Sequence, residues 1–289
     1  MDDMTRIEQA LAAAIGGTKS VNGPPRLAAA MRYAVFPGGA RIRPRLCFSV
    51  ARACAEDDPA ITDGAASAIE LLHCASLVHD DLPCFDDASH RRGKPAVHRT
   101  FGESLAVLTG DALIVLAFQT LANGALREPR RLGRLMQIVG NSVGMPAGIV
   151  AGQAWESEPK VSLADYHRAK TGVLFAAATM AGAAAAGGQP DLWTTLGEQL
   201  GEAYQVADDI RDVAGSLEQL GKPVGRDSAL GRPSAARELG IPGAVQRLEG
   251  LIVDAVDSIP DCPGAAELRD LILMEAQRFL PESLLPRAA

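Results

Sequence analysis

Two acidic clusters, far apart in the 289-residue chain, restrict its fold more than any other feature. The first runs His79-Asp80-Asp81-Leu82-Pro83-Cys84-Phe85-Asp86-Asp87 and is followed by Arg91-Arg92-Gly93-Lys94. The second runs Gln205-Val206-Ala207-Asp208-Asp209-Ile210-Arg211-Asp212, with Gly221-Lys222 and Arg226-Asp227 behind it. Carboxylates at this density repel one another unless a cation sits among them. Both clusters fall at or near the C-terminal end of a long helical pattern, where the helix dipole disfavours negative charge. Acidic residues near helix ends often just face solvent, but six carboxylates set against the dipole need a compensating ion. Oxygen-only ligands suit Mg2+, which takes its remaining ligands from water or phosphate. The Arg and Lys residues behind each cluster are what phosphate oxygens require. The fold must therefore bring the two clusters together as walls of one metal-bridged diphosphate site.

Helices are what the composition favours. Ala and Leu are abundant, aromatics make up 4%, and alternating runs of β-branched and aromatic residues are almost absent. Periodicity marks helices over roughly 4–15, 25–35, 40–55, 62–81, 103–122, 129–143, 163–186, 192–214, 235–259 and 265–279. Thr62-Asp63 would cap the helix leading to the first cluster, and Pro83 would stop it. The segment 215–234, rich in Gly and Pro, reads as an active-site loop. No linker, charge block or repeat divides the chain, so residues 1–289 are expected to form one domain. The expected fold class is all-α, a single-domain helical bundle around a deep central cavity.

A net charge of −7 argues against nucleic acid as a partner, since phosphate backbones need a basic face. Five cysteines without CxxC spacing fit a reducing cytoplasm, most of them as small core residues. The start, Met1-Asp2-Asp3-Met4, lacks the order of a signal peptide. The stretch Gly172–Gly188 is apolar but short and made mostly of Ala and Gly. It predicts a tightly packed internal or interface helix and no stable membrane insertion. Asp208 and Asp212, four apart, share a helix face about 5–6 Å apart at Cβ. His73, Ser76 and Asp80 share another.

Taken together, these motifs resemble the trans-isoprenyl diphosphate synthases, the farnesyl and geranylgeranyl diphosphate synthase family. Asp80-Asp81, Asp86 and Arg91-Arg92-Gly93 are similar to the family's first aspartate-rich motif, and Asp208-Asp209-Ile210-Arg211-Asp212 to its second. Gly38-Gly39-Ala40-Arg41-Ile42-Arg43-Pro44, Gly152-Gln153, Lys170-Thr171-Gly172 and Gly221-Lys222 fall in the family's order, so the likeness spans most of the chain. A lone DDxxD also occurs in terpene cyclases; two in this order with RRG and KTG between them are specific. The wording Phe36-Pro37-Gly38-Gly39-Ala40-Arg41 and Ala151-Gly152-Gln153-Ala154-Trp155-Glu156 is most similar to the C20-forming members of carotenoid and bacteriochlorophyll pathways in phototrophic bacteria.

The resemblance implies condensation of isopentenyl diphosphate with an allylic diphosphate through ionisation, attack and proton loss. It implies Mg2+, on the order of three ions with substrate bound, with Mn2+ as a possible substitute. Asp80, Asp81, Asp86, Asp208, Asp209 and Asp212 would face metal. Arg91, Lys170 and Lys222 would bind the allylic diphosphate, with Arg232 among the substrate-binding cations. The Thr171 hydroxyl and Gln205 carbonyl would face the carbocation; Arg43, Arg92 and His73 would hold isopentenyl diphosphate. Ala75 and Ser76, roughly 6–7.5 Å along the helix from Asp80, would set chain length by leaving the path open, with Leu71 and Leu72 as the floor. A homodimer is expected, by resemblance and because the Gly172–Gly188 helix allows another helix to approach closely. Two departures stand out. Ala40 replaces a lysine usual in the family, a loss that Arg41 or Arg43 would cover in part, and Arg226 and Arg232 stand where Lys is common. His79, His90 and His98 lack zinc spacing and read as structural. The competing readings are a C15 synthase, a non-catalytic partner subunit and a helical metal-binding structural protein.

Overall fold

The computed structural model describes residues 1–18, 23–54, 57–158, 171–214 and 234–276. Its first half contains α1 (Asp3–Gly16), α2 (Pro25–Val35), α3 (Ile42–Ala53) and α4 (Pro59–Asp80). A two-stranded hairpin, β1 (His90–Arg91) and β2 (Lys94–Pro95), then leads into α5 (Val97–Phe101), α6 (Glu103–Gly124), α7 (Pro129–Val143) and α8 (Ile149–Ala154). The second half contains α9 (Val173–Ala185), α10 (Thr194–Ala214), α11 (Ala235–Glu238), α12 (Gly240–Asp257) and α13 (Ala265–Ala276). One hydrophobic cluster runs from Ile7 on α1 to Ile272 on α13.

Local chemistry accounts for where the main helices begin. α4 starts at Pro59, earlier than the expected Thr62-Asp63 cap. Asp58 is the cap and accepts from the N–H groups of Ala60 and Ile61, while Pro59 presets the first helical φ. Asp63 is instead held by Arg6. The expected helix over 235–259 is broken at Gly240, whose φ of 69° leaves the right-handed helix; Pro242 then sits in the first turn of α12. The hairpin escapes a periodicity reading because each strand has two residues. Its turn places both Arg92 (φ 53°) and Gly93 (φ 75°) in the left-handed region, the requirement of a type I′ turn.

α9 forms the centre of the assembly, packing on α3, α4, α7 and α10. Its small residues serve that role. A Cβ on Gly197 of α10 would stand 2.3 Å from Ala176 Cα, and one on Gly201 would stand 2.7 Å from Gly172 Cα. The Ala/Gly-rich helix is therefore internal, buried within its own chain. Apolar side chains are exposed elsewhere: on α6, Val107 (42%), Leu108 (50%) and Val115 (56%) face outward. α6 is also the one described helix long and apolar enough to cross a membrane, yet it packs against α2, α4, α5 and α7.

The α9–α10 contact yields a direct test. Gly197→Val forces the two backbones apart and should lower stability by about 2 kcal/mol or more. Urea denaturation with an unchanged midpoint would show that the close approach is dispensable.

Candidate active site

The first acidic cluster caps α4. Asp81 is the C-cap residue, and the chain then folds back so that the Asp86 N–H donates to the Asp80 carbonyl (2.9 Å) and the Ala88 N–H to that of Asp81 (3.2 Å). Asp86 thereby returns beside Asp80, five residues after the helix has passed Asp81. The carboxylates do not play equal parts. Asp81 is buried and accepts from Arg91 Nη2 (2.5 Å) and Nε (3.0 Å). Burial raises its pKa, against the opposing pull of Arg91. Asp87 pairs with Arg99 (2.7 Å).

The second cluster is built on one face and one flank of α10. Gln205 Nε2 donates to Asp209 Oδ1 (3.0 Å), and Gln205 Oε1 accepts from the Thr171 hydroxyl (3.0 Å). A carboxylate can only accept, so the amide orientation of Gln205 is fixed, with its oxygen toward Thr171. Asp209 Oδ2 accepts the Ala235 N–H (2.8 Å) at the start of α11. Asp208 lies 2.8 Å from Arg211, and its side chain is 36% exposed. Asp212, one turn on, is buried.

Arg43 on α3, Arg91 and Arg92 in the hairpin and His73 on α4 lie within electrostatic reach of one another. The Arg43 guanidinium stacks 4.6 Å over the Phe175 ring and 6.0 Å from that of Tyr204. Its Nε is buried with no hydrogen-bond partner, a costly state for a charged donor. Burial lowers the Arg43 pKa, opposed by Tyr204, Glu70 and Asp208. His73 is held well below its ordinary value by burial and then by Arg43, Arg92, Arg91 and Arg41, so it is neutral. These couplings place Arg43 within electrostatic reach of Asp208 on one wall and of Arg92 and His73 beside the other.

Arg41 does not take over from the missing lysine. It is fully buried, donating to Glu70 Oε1 (2.5 Å), Glu8 Oε1 (2.8 Å) and the Val35 carbonyl (2.8 Å). Burial opposes its charge, but Glu70 and Glu8 more than offset this and raise its pKa. Glu70, one residue before Leu71 on α4, is the anion that sequence reasoning missed. It is 2% exposed, and Arg92 also lies 4.0 Å from it. Gly38 and Gly39 make room for this pair: a Cβ on Gly38 would meet the Arg41 guanidinium at 2.1 Å, and one on Gly39 would meet Arg92 at 3.3 Å. The signal was a lone Glu inside an apolar helix.

Ala75 is buried, and the Ser76 hydroxyl donates back to the His73 carbonyl (2.9 Å). His79 Nε2 lies 3.3 Å from the Val107 carbonyl, His90 sits in β1, and His98 is buried 3.9 Å from Asp87. All five cysteines are free; Cys47 and Cys74 are buried, and Cys84 is exposed. Lys170, Lys222 and Arg232 lie outside the described residues.

Among the described residues, no three His, Cys, Asp or Glu side chains already form a metal-binding group. Mg2+ is commonly held by one or two carboxylates and completes its shell with substrate phosphate. The donors fit as well: oxygen-only carboxylates at Asp80 and Asp86 and at Asp208 and Asp212, with the Arg43 and Arg92 guanidinium groups as the chemistry a diphosphate requires.

Fold and site together define an all-α synthase acting on diphosphates. The polyprenyl synthetase family profile matches residues 24–246. The chain is 54% identical over 282 residues to the geranylgeranyl diphosphate synthase of Cereibacter sphaeroides, covering 98% of each. It is 51% identical to that of Rhodobacter capsulatus, covering 95% of each. Among solved structures, a geranyltransferase from Helicobacter pylori complexed with magnesium and isoprenyl diphosphate superposes with a TM-score of 0.81 at 30% identity, covering 94% of this chain and 95% of that one. The chain belongs to the polyprenyl synthetase family and has its isoprenoid synthase fold.

The His73 environment gives a pH dependence with a definite sign. A histidine with a lowered folded-state pKa leaves the unfolded chain binding more protons, so stability falls as pH drops below about 6.5. His73→Gln should therefore lose less stability than wild type between about pH 7 and 5. Parallel pH–stability curves would contradict the assigned neutral state.

Proposed function

We propose that the chain is a Mg2+-dependent geranylgeranyl diphosphate synthase. It condenses isopentenyl diphosphate head to tail with dimethylallyl, geranyl and farnesyl diphosphates to the C20 product. The observation that carries the reading is the group of Arg43, Arg92 and neutral His73, with Arg43 in electrostatic reach of Asp208 in the second cluster and His73 in reach of Arg91, the partner of Asp81 in the first. The identity of 54% to a C20 synthase supports the product class.

Asp80 and Asp86 on one wall and Asp208 and Asp212 on the other hold the metal ions, of which three are proposed, with Mn2+ as a substitute. Asp81, Asp208 and Asp209 already have protein partners, in Arg91, in Arg211, and in Gln205 with the Ala235 N–H, respectively, and join the set through their remaining lone pairs. In the free enzyme they orient those partners. The metal, when bound, supplies positive charge to the diphosphate as the allylic C–O bond breaks. Arg91 holds the allylic diphosphate, and Lys170, Lys222 and Arg232 complete that set by family resemblance. Thr171 and Gln205 turn oxygen dipoles toward the carbocation. Arg43, Arg92 and His73 hold isopentenyl diphosphate so that its double bond attacks the cation. The proton then lost goes to the departing diphosphate, so no nucleophilic side chain is needed.

The growing chain runs past Ser76 and Ala75 into a central cavity, where small side chains leave it room. Leu71 and Leu72, both buried, lie a turn further and form the floor. Residues 1–289 act as one domain in the cytoplasm, which the five free cysteines suit. The exposed apolar side chains of α6, not α9, form the face of a homodimer.

Turnover by the purified chain with product sizing tests the reading, and absence of turnover would favour a non-catalytic subunit. Asp80→Ala and Asp208→Ala should each lower turnover about 100-fold or more, the equivalent of roughly 3 kcal/mol. Near-normal rates in either would contradict the two-walled site. Ala75→Phe should shift the product from C20 to C15; an unchanged C20 product, or a wild type stopping at C15, rejects the chain-length assignment.

A further inference from the structure

Lys94 follows the Arg91-Arg92-Gly93 motif but has no part in the site as described. It stands in β2 opposite Arg91. Its ammonium is committed to backbone: Nζ donates to the carbonyl of Phe36 (2.6 Å) and to that of Tyr33, and it lies 3.9 Å from the Tyr33 ring centroid. These carbonyls close α2, whose last turn has no further helical N–H to offer them, and a cation there also answers the helix dipole. Two of the three ammonium protons are thus used within the protein.

Phe36 opens the segment 36–41 that leads to Arg43 on α3. Three residues beyond Phe36, Gly39 lies against Arg92, which stands two residues before Lys94 in the hairpin. Segment and hairpin are therefore joined at two points, Lys94 on Phe36 and Arg92 against Gly39. The segment brings no cation of its own at the exposed Ala40, and Arg41 is spent on Glu70 and Glu8. What it contributes to an anion is the placement of Arg43 relative to Arg92.

We propose that Lys94 is a positioning residue for isopentenyl diphosphate, clamping the 36–41 segment to the hairpin so that Arg43 and Arg92 converge on one diphosphate. The inference rests on the prenyl-transfer reading of the site. Lys94 does not touch the substrate. It acts through two arginines that do.

Lys94→Met keeps an unbranched apolar stem and deletes the clamp. Its KM for isopentenyl diphosphate should rise about tenfold, while kcat and the allylic KM stay within about twofold. Because the effect passes partly through Arg92, the double variant Lys94→Met/Arg92→Ala should lose less than the product of the two single losses. Lys94→Gln, with one amide donor left, should fall between wild type and Lys94→Met, and guards against a Met variant that fails to fold. An unchanged isopentenyl KM, losses that multiply fully in the double variant, or equal rises in both KM values with a lowered Tm would each overturn the proposal. Calorimetric binding of isopentenyl diphosphate repeats the comparison without turnover, so an inactive wild type would count against the activity and leave the Lys94 result readable.

Discussion

Mutual repulsion among carboxylates at the ends of two helices is the constraint on which the rest of the architecture depends. α4 delivers Asp80 and Asp81 at its C-terminus, and α10 carries Asp208, Asp209 and Asp212 in its last turns. Without an external cation the protein relieves part of this charge itself. Arg91 takes Asp81, and Arg211 lies beside Asp208, while Gln205 and the Ala235 N–H share Asp209. Protein partners thus neutralise some carboxylates and orient others. Positive charge from the proposed Mg2+ would complete that neutralisation and assist departure of the diphosphate.

The cationic side of the site obeys the complementary rule. Buried guanidinium groups are costly unless paired, and the buried Glu70 lies beside the buried Arg41 and 4.0 Å from the partly exposed Arg92. Arg41 is matched by Glu70 and Glu8, whereas Arg43 close by has its aromatic stack but no acceptor at Nε. An acceptor reaching that Nε would offset the cost of burying it. Burial first, and then the surrounding arginines, keep His73 neutral, so that the ring can donate to an incoming oxygen without adding to the repulsion among the arginines.

Much of this was legible in the chain. The acidic motifs, the arginine pair and the helical periods over 25–35 and 129–143 each announce themselves through local pattern. The hairpin was not legible, since two-residue strands carry no period and depend on Arg92 and Gly93 adopting left-handed backbone together. Glu70 and Lys94 were missed because their roles lie in contacts with segments about thirty or sixty residues away. Arg41 and Arg43 stayed alternatives because neighbouring arginines look alike in sequence, and only the fold shows Arg41 turned into the core while Arg43 stacks on Phe175. The Ala/Gly-rich stretch predicted close helix approach correctly, but pattern alone does not say whether the partner helix belongs to the same chain.

The central claim is that the two acidic walls act as one unit on one diphosphate. Calorimetry with Mg2+ and a non-ionising allylic diphosphate analogue tests it most directly, using wild type, Asp80→Ala, Asp208→Ala and the double variant. Shared metals predict that either substitution loses most of the Mg2+-dependent affinity and that the double variant loses little more than a single one. Losses that simply multiply, or full affinity with one wall removed, would show that the walls work independently and would contradict the account.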